Sequence, residues 1–247
     1  INLNVVDSMK RLGVKKVFYS SSACMYPEDH QLEIDVPALS EDMAYPGNPD
    51  SEYGWEKLFS ERLYKAYEKN YGFEVRIARL HNIFGPEGTF EGGREKAPAA
   101  LCRKVSTSKG EDIEVYGDGK QIRDWLHVDD HCRGIELVIK NGTCGNTYNI
   151  GGENEWQNID VVTSICEAVN ELFTQSPELH SLFPNSPCAE SRDAKTLIAY
   201  VPDRPGHDVR YAIDAGKIRL KILLSSSLNN WKFDSNLKRP ILFISQI

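Results

Sequence analysis

What this sequence lacks already narrows its function. It contains no run of about 18 apolar residues, so no membrane-spanning helix is expected. Its six cysteines, at positions 24, 102, 132, 144, 166 and 188, form no CxxC pair, and no histidine cluster has zinc spacing. No metal site is therefore expected. Positive charge is not in excess: 29 Lys+Arg against 36 Asp+Glu give a net charge of −7, which supplies no reason to propose nucleic-acid binding. There is no internal repeat and no low-complexity tract. There is also no Met at position 1 and no basic-then-apolar leader, so the natural start is expected to lie upstream of Ile1.

What is present is ordinary globular material, with 40% apolar, 26% charged and 10% aromatic residues. The length allows one large domain or two small ones. Scattered thiols without pairing fit a reducing, cytoplasmic setting, and each cysteine reads by default as a small buried apolar residue. Asn141-Gly142-Thr143 matches a glycosylation sequon, read here as a chance match.

Residues 4–12 carry helical spacing, with Val5, Met9 and Leu12 on one face and Gly13 as a stop. A short β-rich run, Val14 to Ser20, follows. Helix, glycine and buried strand in that order are the grammar of an α/β fold with a parallel sheet. Residues 28–50 are polar and Pro-dotted and read as a loop. Glu52 to Asn70 is expected to be a helix through Tyr53, Leu58, Leu63 and Tyr67, closed by Gly72. Glu74–Leu80 is a strand ending at His81-Asn82. The Gly-rich, charged stretch 85–96 reads as a loop over a ligand. A helix over 97–105 and a strand over 113–116 come next, then a helix over 129–140 and a strand over 146–150. Asn158 is placed as the cap of a helix reaching about Phe173. Residues 174–196 read as a loop, and 198–201 and 209–213 as strands. The pattern fades after Lys217.

Three features stand in order: the strand end Ser20-Ser21-Ser22-Ala23-Cys24, then Tyr53-Gly54-Trp55-Glu56-Lys57 opening a helix, then Asn82 before Gly85-Pro86. Tyr53 and Lys57 are four residues apart, one turn along the same helical face. A cationic lysine beside a tyrosine favours the phenolate, which suits a general base. Ser22, at a strand carboxyl end where parallel α/β sheets place ligands, is positioned to hydrogen-bond the same hydroxyl. A Tyr-x-x-x-Lys pair alone is usually an amphipathic helix face; the serine-rich strand end before it and Arg79-x-x-Asn82-x-Phe84-Gly85-Pro86 after it give it weight.

The pattern resembles the extended short-chain dehydrogenase/reductase family, the nucleotide-sugar epimerases and dehydratases, from residue 1 to about 218. Residues 18–107, through FYSSSACMYPE, EYGWEKLFSERLYKAYEKNYG and RIARLHNIFGPEGTFEGGREKAPAALCRK, are similar to the GDP-mannose 3,5-epimerase branch. Residues 115–218, through YGDGKQIRDWLHVDDHCRGIELVIKNG, TYNIGGENE and YVPDRPGHDVRYAIDAGKI, are similar to the dTDP-glucose 4,6-dehydratase branch. The dehydratases carry an Asp-Glu pair just after the catalytic Ser/Thr; those positions are Ala23 and Cys24 here, which favours epimerisation over loss of water. The alternatives that stay open are a 4,6-dehydratase-like enzyme and an inactive fragment that only binds a nucleotide sugar or a partner.

The resemblance implies NAD as cofactor and a Rossmann-type parallel sheet over 1–84 and 124–151. It also implies a smaller substrate-binding domain over 85–123 and 152–218, with an atypical tail over 219–247. By resemblance the catalytic residues are Tyr53, Lys57, Ser22, Cys24 and Lys96, with Ser20, Tyr53 and Lys57 on the cofactor. The nucleotide sugar is expected to meet Ser22, Ala23, Cys24, Asn82, Arg94, Glu95, Lys96 and Ala97. Further along, Lys104, Gln121, Ile122, Arg123, Arg204 and His207 complete that set. Each has a plainer reading: Lys96 as a solvated loop charge, Asn82 as a turn cap, Gln121 and Arg123 as an exposed strand edge, Arg204 as an ion-pair partner. His127 and His131 read as structural. The implied partners are a nucleotide sugar and a second copy of the chain, paired through the helix starting at Glu52, with no nucleic acid and no membrane. The family's GxxGxxG fingerprint and its ribose-binding acid are absent from this sequence, so the segment is expected to bind NAD poorly by itself.

Overall fold

The computed structural model describes residues 1–32, 35–93, 95–107, 112–203 and 209–224, with side chains up to 220. In chain order the elements are α1 (Asn2–Leu12), β1 (Lys16–Ser22), α2 (Glu52–Tyr71), β2 (Glu74–Leu80), β3 (Asn82–Phe84), α3 (Ala97–Thr107) and β4 (Ile113–Tyr116). They continue as β5 (Ile122–His127), α4 (Val128–Asn141), β6 (Thr147–Ile150), β7 (Glu155–Gln157), α5 (Asn158–Gln175), α6 (Leu179–Leu182), β8 (Ile198–Val201), β9 (Arg210–Tyr211) and α7 (Gly216–Leu224). Short 3-10 turns at Ala23–Met25, Glu28–His30 and Glu41–Ala44 punctuate the stretch between β1 and α2. Among the described residues no helix is long and apolar enough to cross a membrane, and no cluster of His, Cys, Asp and Glu could hold a metal ion.

The chain divides into two compact units, the first built from residues 1–82, 124–154 and 210–224 and the second from 83–123 and 155–209. In the first unit β1, β2 and β6 form a parallel sheet in that order. Its register runs from Lys16 opposite Glu74 to Ser22 opposite Leu80, and from Ile77 opposite Thr147 to Leu80 opposite Ile150. The α/β architecture is thus as the helix–glycine–strand grammar requires. Helices cover the sheet because parallel strands carry apolar residues on both faces. Val6 of α1 and Tyr64 of α2 pack on Tyr19, Val75 and Ile77, with Tyr19 and Tyr64 stacked at 4.8 Å between ring centroids. Leu137 and Val138 of α4 and Ile218 of α7 cover Ala78, Tyr148 and Ile150 in a second cluster.

α2 starts where Ser51 accepts a hydrogen bond from the Gly54 N–H at 3.3 Å, and stops at Gly72, whose φ of 66° belongs to the left-handed region. α1 ends the same way at Gly13. In the second unit β4 and β8 pair in parallel, and α3 packs on α5 through buried Cys102, Val105, Ile165, Cys166 and Val169.

Several expectations need correction. Asn158 does not cap α5: it is the first helical residue, after Gln157, and Gln157 provides no side-chain cap. Residues 174–196 hold α6 and 3-10 turns at Pro187–Glu190 and Ala194–Leu197 rather than plain loop. The strand expected over 209–213 is only Arg210–Tyr211. Strands β3 and β7 were not anticipated because three residues are too few to show a period, and β5 was hidden by its charged and polar residues. Cys132 and Cys144 are exposed, against the reading of every cysteine as buried, whereas Cys102, Cys166 and Cys188 are buried. Burial pushes the thiols of Cys102 and Cys166 up to about 12, so neither is a nucleophile near neutrality. His127 is structural: its ring nitrogen accepts the Asp129 N–H at the start of α4.

Candidate active site

In the first unit the residues singled out around Cys24 converge where β1 ends. Ser22 is the last residue of the strand, and its hydroxyl oxygen accepts the Cys24 N–H at 3.2 Å, capping the turn Ala23–Met25. Tyr26 closes that turn by donating its N–H to the Ala23 carbonyl at 3.1 Å. Ala23 and Met25 are fully buried beneath it. Cys24 is therefore presented, partly buried, on a rigid one-turn platform.

A polar network anchors the platform from below. The Arg79 guanidinium donates to both carboxylate oxygens of Glu61 at 3.0 and 2.9 Å, and also to the Tyr26 hydroxyl and the Glu41 carbonyl, each at 2.9 Å. Both Arg79 and Glu61 are almost wholly buried. Burial opposes the arginine's charge, but the Glu61 carboxylate more than compensates, so its proton is held more tightly than usual. Tyr26 donates to Asn149 Oδ1 at 2.7 Å, and burial first of all pushes its phenol up to about 12, so it remains a neutral donor. The Asn149 amide in turn donates to the Leu39 and Asp214 carbonyls, and its N–H donates to Glu41 at 2.8 Å. One buried network thus ties Tyr26 after the turn, α2, β2, β6 and the 28–50 segment together.

α2 approaches the platform at its first turn. A Cβ on Gly54 would lie 2.3 Å from the Cys24 carbonyl oxygen and 2.6 Å from Pro49 Cβ, so only glycine admits this contact. The close approach sets Tyr53, about half exposed, beside the strand end. Lys57 Nζ donates to the Ser20 carbonyl at 3.0 Å and lies 5.4 Å from the Tyr53 ring centroid and 5.3 Å from that of Tyr19.

A residue that sequence reading missed completes the arrangement. The Tyr211 hydroxyl donates to Cys24 Sγ at 3.3 Å. His81 holds Tyr211 in turn: the rings meet at 4.3 Å between centroids, and His81 Nε2 donates to the Tyr211 carbonyl at 3.1 Å. The tautomer follows from the other nitrogen, since Nδ1 accepts the Asn82 N–H at 2.6 Å and must be bare. No local signal marks Tyr211. Gly54 was visible between Tyr53 and Trp55, but its role depends on a distant carbonyl.

The other expected substrate residues lie in the second unit, apart from Asn82, whose side chain is half-buried at the start of β3. Lys96 and Ala97 are exposed at the start of α3, and Lys104 is half-buried one turn further along the helix than Ala100. Glu95 pairs with Arg103 at 3.5 Å, tying the Gly-rich stretch to α3, where Gly92 and Gly93 adopt φ of 89° and 78°. Gln121 and Arg123 are buried, correcting the reading of an exposed edge. Gln121 Nε2 donates to Asp203 at 3.0 Å and its carbonyl accepts the Asn158 N–H, while Arg123 donates to the Ile122 carbonyl. Arg94, Arg204 and His207 lie outside the described residues.

Residues 1–151 match the NAD dependent epimerase/dehydratase family. The chain belongs to that family. Within the family, it is 47% identical over 153 residues to GDP-mannose 3,5-epimerase of Arabidopsis thaliana, covering 62% of this chain and 40% of that protein. It is 37% identical over 194 residues to dTDP-glucose 4,6-dehydratase of Escherichia coli, covering 78% of this chain and 48% of that protein. The chain thus spans about half or less of the length of these relatives. Among solved structures, a double mutant of a dTDP-glucose 4,6-dehydratase from Streptomyces venezuelae, crystallised with NAD, superposes with a TM-score of 0.72 at 28% identity. That match covers 98% of this chain and 63% of the other.

Proposed function

We propose that this chain carries the catalytic part of an NAD-dependent nucleotide-sugar epimerase that exchanges protons at the carbons flanking a transient ketone, with GDP-mannose as substrate. The observation that carries the reading is Cys24. A thiol, not a carboxylate pair, stands on the platform after Ser22, beside the Gly54 contact at the start of the helix that carries Lys57. The 47% identity to the Arabidopsis 3,5-epimerase supports the substrate assignment.

The donor set fits the nicotinamide end of NAD: Lys57 lies against the Ser20 carbonyl and Tyr53 is open to solvent. When bound, NAD supplies the hydride acceptor and donor at the sugar C4. Tyr53, with Lys57 beside its ring and Ser22 at the strand end, takes the proton of the 4-hydroxyl and later returns it. Oxidation at that carbon acidifies the two neighbouring C–H bonds. By resemblance, Cys24 and Lys96 exchange protons at those carbons from opposite sides of the sugar. By resemblance, Lys104, Arg123 and Arg204 supply cationic contacts for the anionic ligand. The exposed Trp55 and Phe59 of α2 support pairing of two copies through that helix, and six free thiols agree with a cytoplasmic setting.

A 4,6-dehydratase is the second reading, favoured by the longer match to the Escherichia coli enzyme and opposed by Ala23 and Cys24. The test joins the chain to a dinucleotide-binding half bearing the glycine fingerprint and supplies GDP-mannose, then dTDP-glucose, in D2O. Deuterium at C3 and C5 without loss of water is the expected result. A 4-keto-6-deoxy product would overturn it for the dehydratase, and no exchange with either sugar leaves a binding fragment.

A further inference from the structure

The contact between Tyr211 and Cys24 joins residues 187 positions apart in the sequence. Its geometry is specific: a phenol O–H aimed at sulfur at 3.3 Å. Sulfur is a weak acceptor as a thiol and a strong one as a thiolate, and the thiolate is the form that takes a proton from carbon.

We propose that Tyr211 is a positioning residue for Cys24, holding its sulfur in place and stabilising the thiolate through the phenol O–H. The inference rests on the reading of Cys24 as the proton-carrying group. In the exchange step Sγ takes the proton from the carbon beside the ketone and becomes a thiol, and it gives a proton back on the opposite course. Tyr211 keeps its own proton throughout.

The phenol is preorganised for this. The ring of His81 lies against it, and the His81 Nε2–H fixes its carbonyl. Its ring packs on the cluster of Ala23, Met25, Tyr26, Leu39, Ala44, Leu58 and Ile213, the same cluster that supports the Cys24 turn. The segment after it is pinned by the Leu39 N–H on the Ala212 carbonyl at 3.0 Å and the Asp214 N–H on the Leu39 carbonyl at 2.9 Å. Cysteine and phenol thus stand on one rigid body, and the bond needs no ordering when a ligand arrives. A tyrosine kept only to fill space would gain nothing by turning its hydroxyl to sulfur; a phenylalanine would fill the same cluster.

The test needs neither sugar nor cofactor, so it is independent of turnover. Alkylation of Cys24 by iodoacetamide is followed peptide by peptide, which separates it from exposed Cys132 and Cys144. In Tyr211→Phe the thiolate fraction at neutral pH is expected to fall about tenfold. The sulfur that remains ionised is more nucleophilic, so the alkylation rate falls about threefold. The ultraviolet absorbance of thiolate, taken as the difference from Cys24→Ser, falls with it. Replacing Tyr211 by 3-fluorotyrosine strengthens the O–H donor without changing the packing, and should raise the thiolate absorbance instead. Opposite changes in the two variants support the proposal. A Cys24 signal unchanged in 3-fluorotyrosine protein overturns it, even if Tyr211→Phe fails to fold. Absence of C3 and C5 exchange in the unsubstituted protein, with both thiol effects intact, would remove the epimerase reading and leave this contact standing.

Discussion

Gly54→Ala offers the sharpest check on how the site is built. In an open helix this change stabilises by about 1 kcal/mol, because alanine has the better helix propensity. Gly54 is not in the left-handed region, so no backbone strain opposes alanine there. The obstacle is the Cys24 carbonyl oxygen, 2.3 Å from the new Cβ, with Pro49 Cβ at 2.6 Å. A carbon–oxygen contact relaxes only at about 3.3 Å, so one element must retreat by about 1 Å. The turn cannot yield easily, since Ala23 and Met25 are fully buried under it. The first turn of α2 must therefore move, and overpacking of this kind costs about 1–3 kcal/mol. After the propensity gain is subtracted, a net loss of about 1 kcal/mol is expected in urea unfolding. Activity suffers more, because Tyr53 is carried away from the strand end, and a displacement of about 1 Å costs on the order of 100-fold in rate. Gly13→Ala is the control: its φ of 72° makes alanine strained, but nothing lies within 4 Å, so stability falls with exchange at C3 and C5 unaffected. A Gly54→Ala protein as stable as the parent or more so, with undiminished exchange, would refute the close approach.

Two further outcomes follow from buried charge. Glu61→Gln leaves the Arg79 guanidinium buried without its counter-ion and should cost about 3–5 kcal/mol in urea unfolding. Adding Arg79→Met to a Glu61→Leu change should recover most of that, and a single Glu61→Gln cost under about 1 kcal/mol would show the pair to be dispensable. His131 on α4 is held below the usual histidine range by burial, and its buried Nδ1 has no hydrogen-bond partner among the described residues. Because the folded state binds its proton less readily than the unfolded state, stability from this residue is complete above about pH 6.5 and is lost as pH falls through the lowered folded value. His131→Leu should flatten that acid-side slope relative to the parent; identical slopes in both proteins would count against the assignment.

How much of this was legible in the sequence varied with the range of the interaction. α1, α2, β1, β2, α4 and β6 could be read because each buries one face or one run, and burial leaves a period of 3.6 or an apolar stretch. The charged, half-polar β5 and the three-residue β3 and β7 left no such trace. Gln121 and Arg123 looked like surface residues because polar side chains usually are, yet both are buried, and the Gln121 amide is satisfied by its bond to Asp203.

The sequence by itself determined the helix–strand alternation, the Tyr53–Lys57 spacing and the Ser22-Ala23-Cys24 order at the strand end. These are matters of local order and residue type, which a linear chain states directly. Only the tertiary structure decided that Gly54 touches the Cys24 carbonyl, that Arg79 and Glu61 brace the turn from below, and that Tyr211 reaches the sulfur. Those contacts join segments far apart in the chain. Their existence depends on which strands lie side by side and in what register, so no local pattern records them.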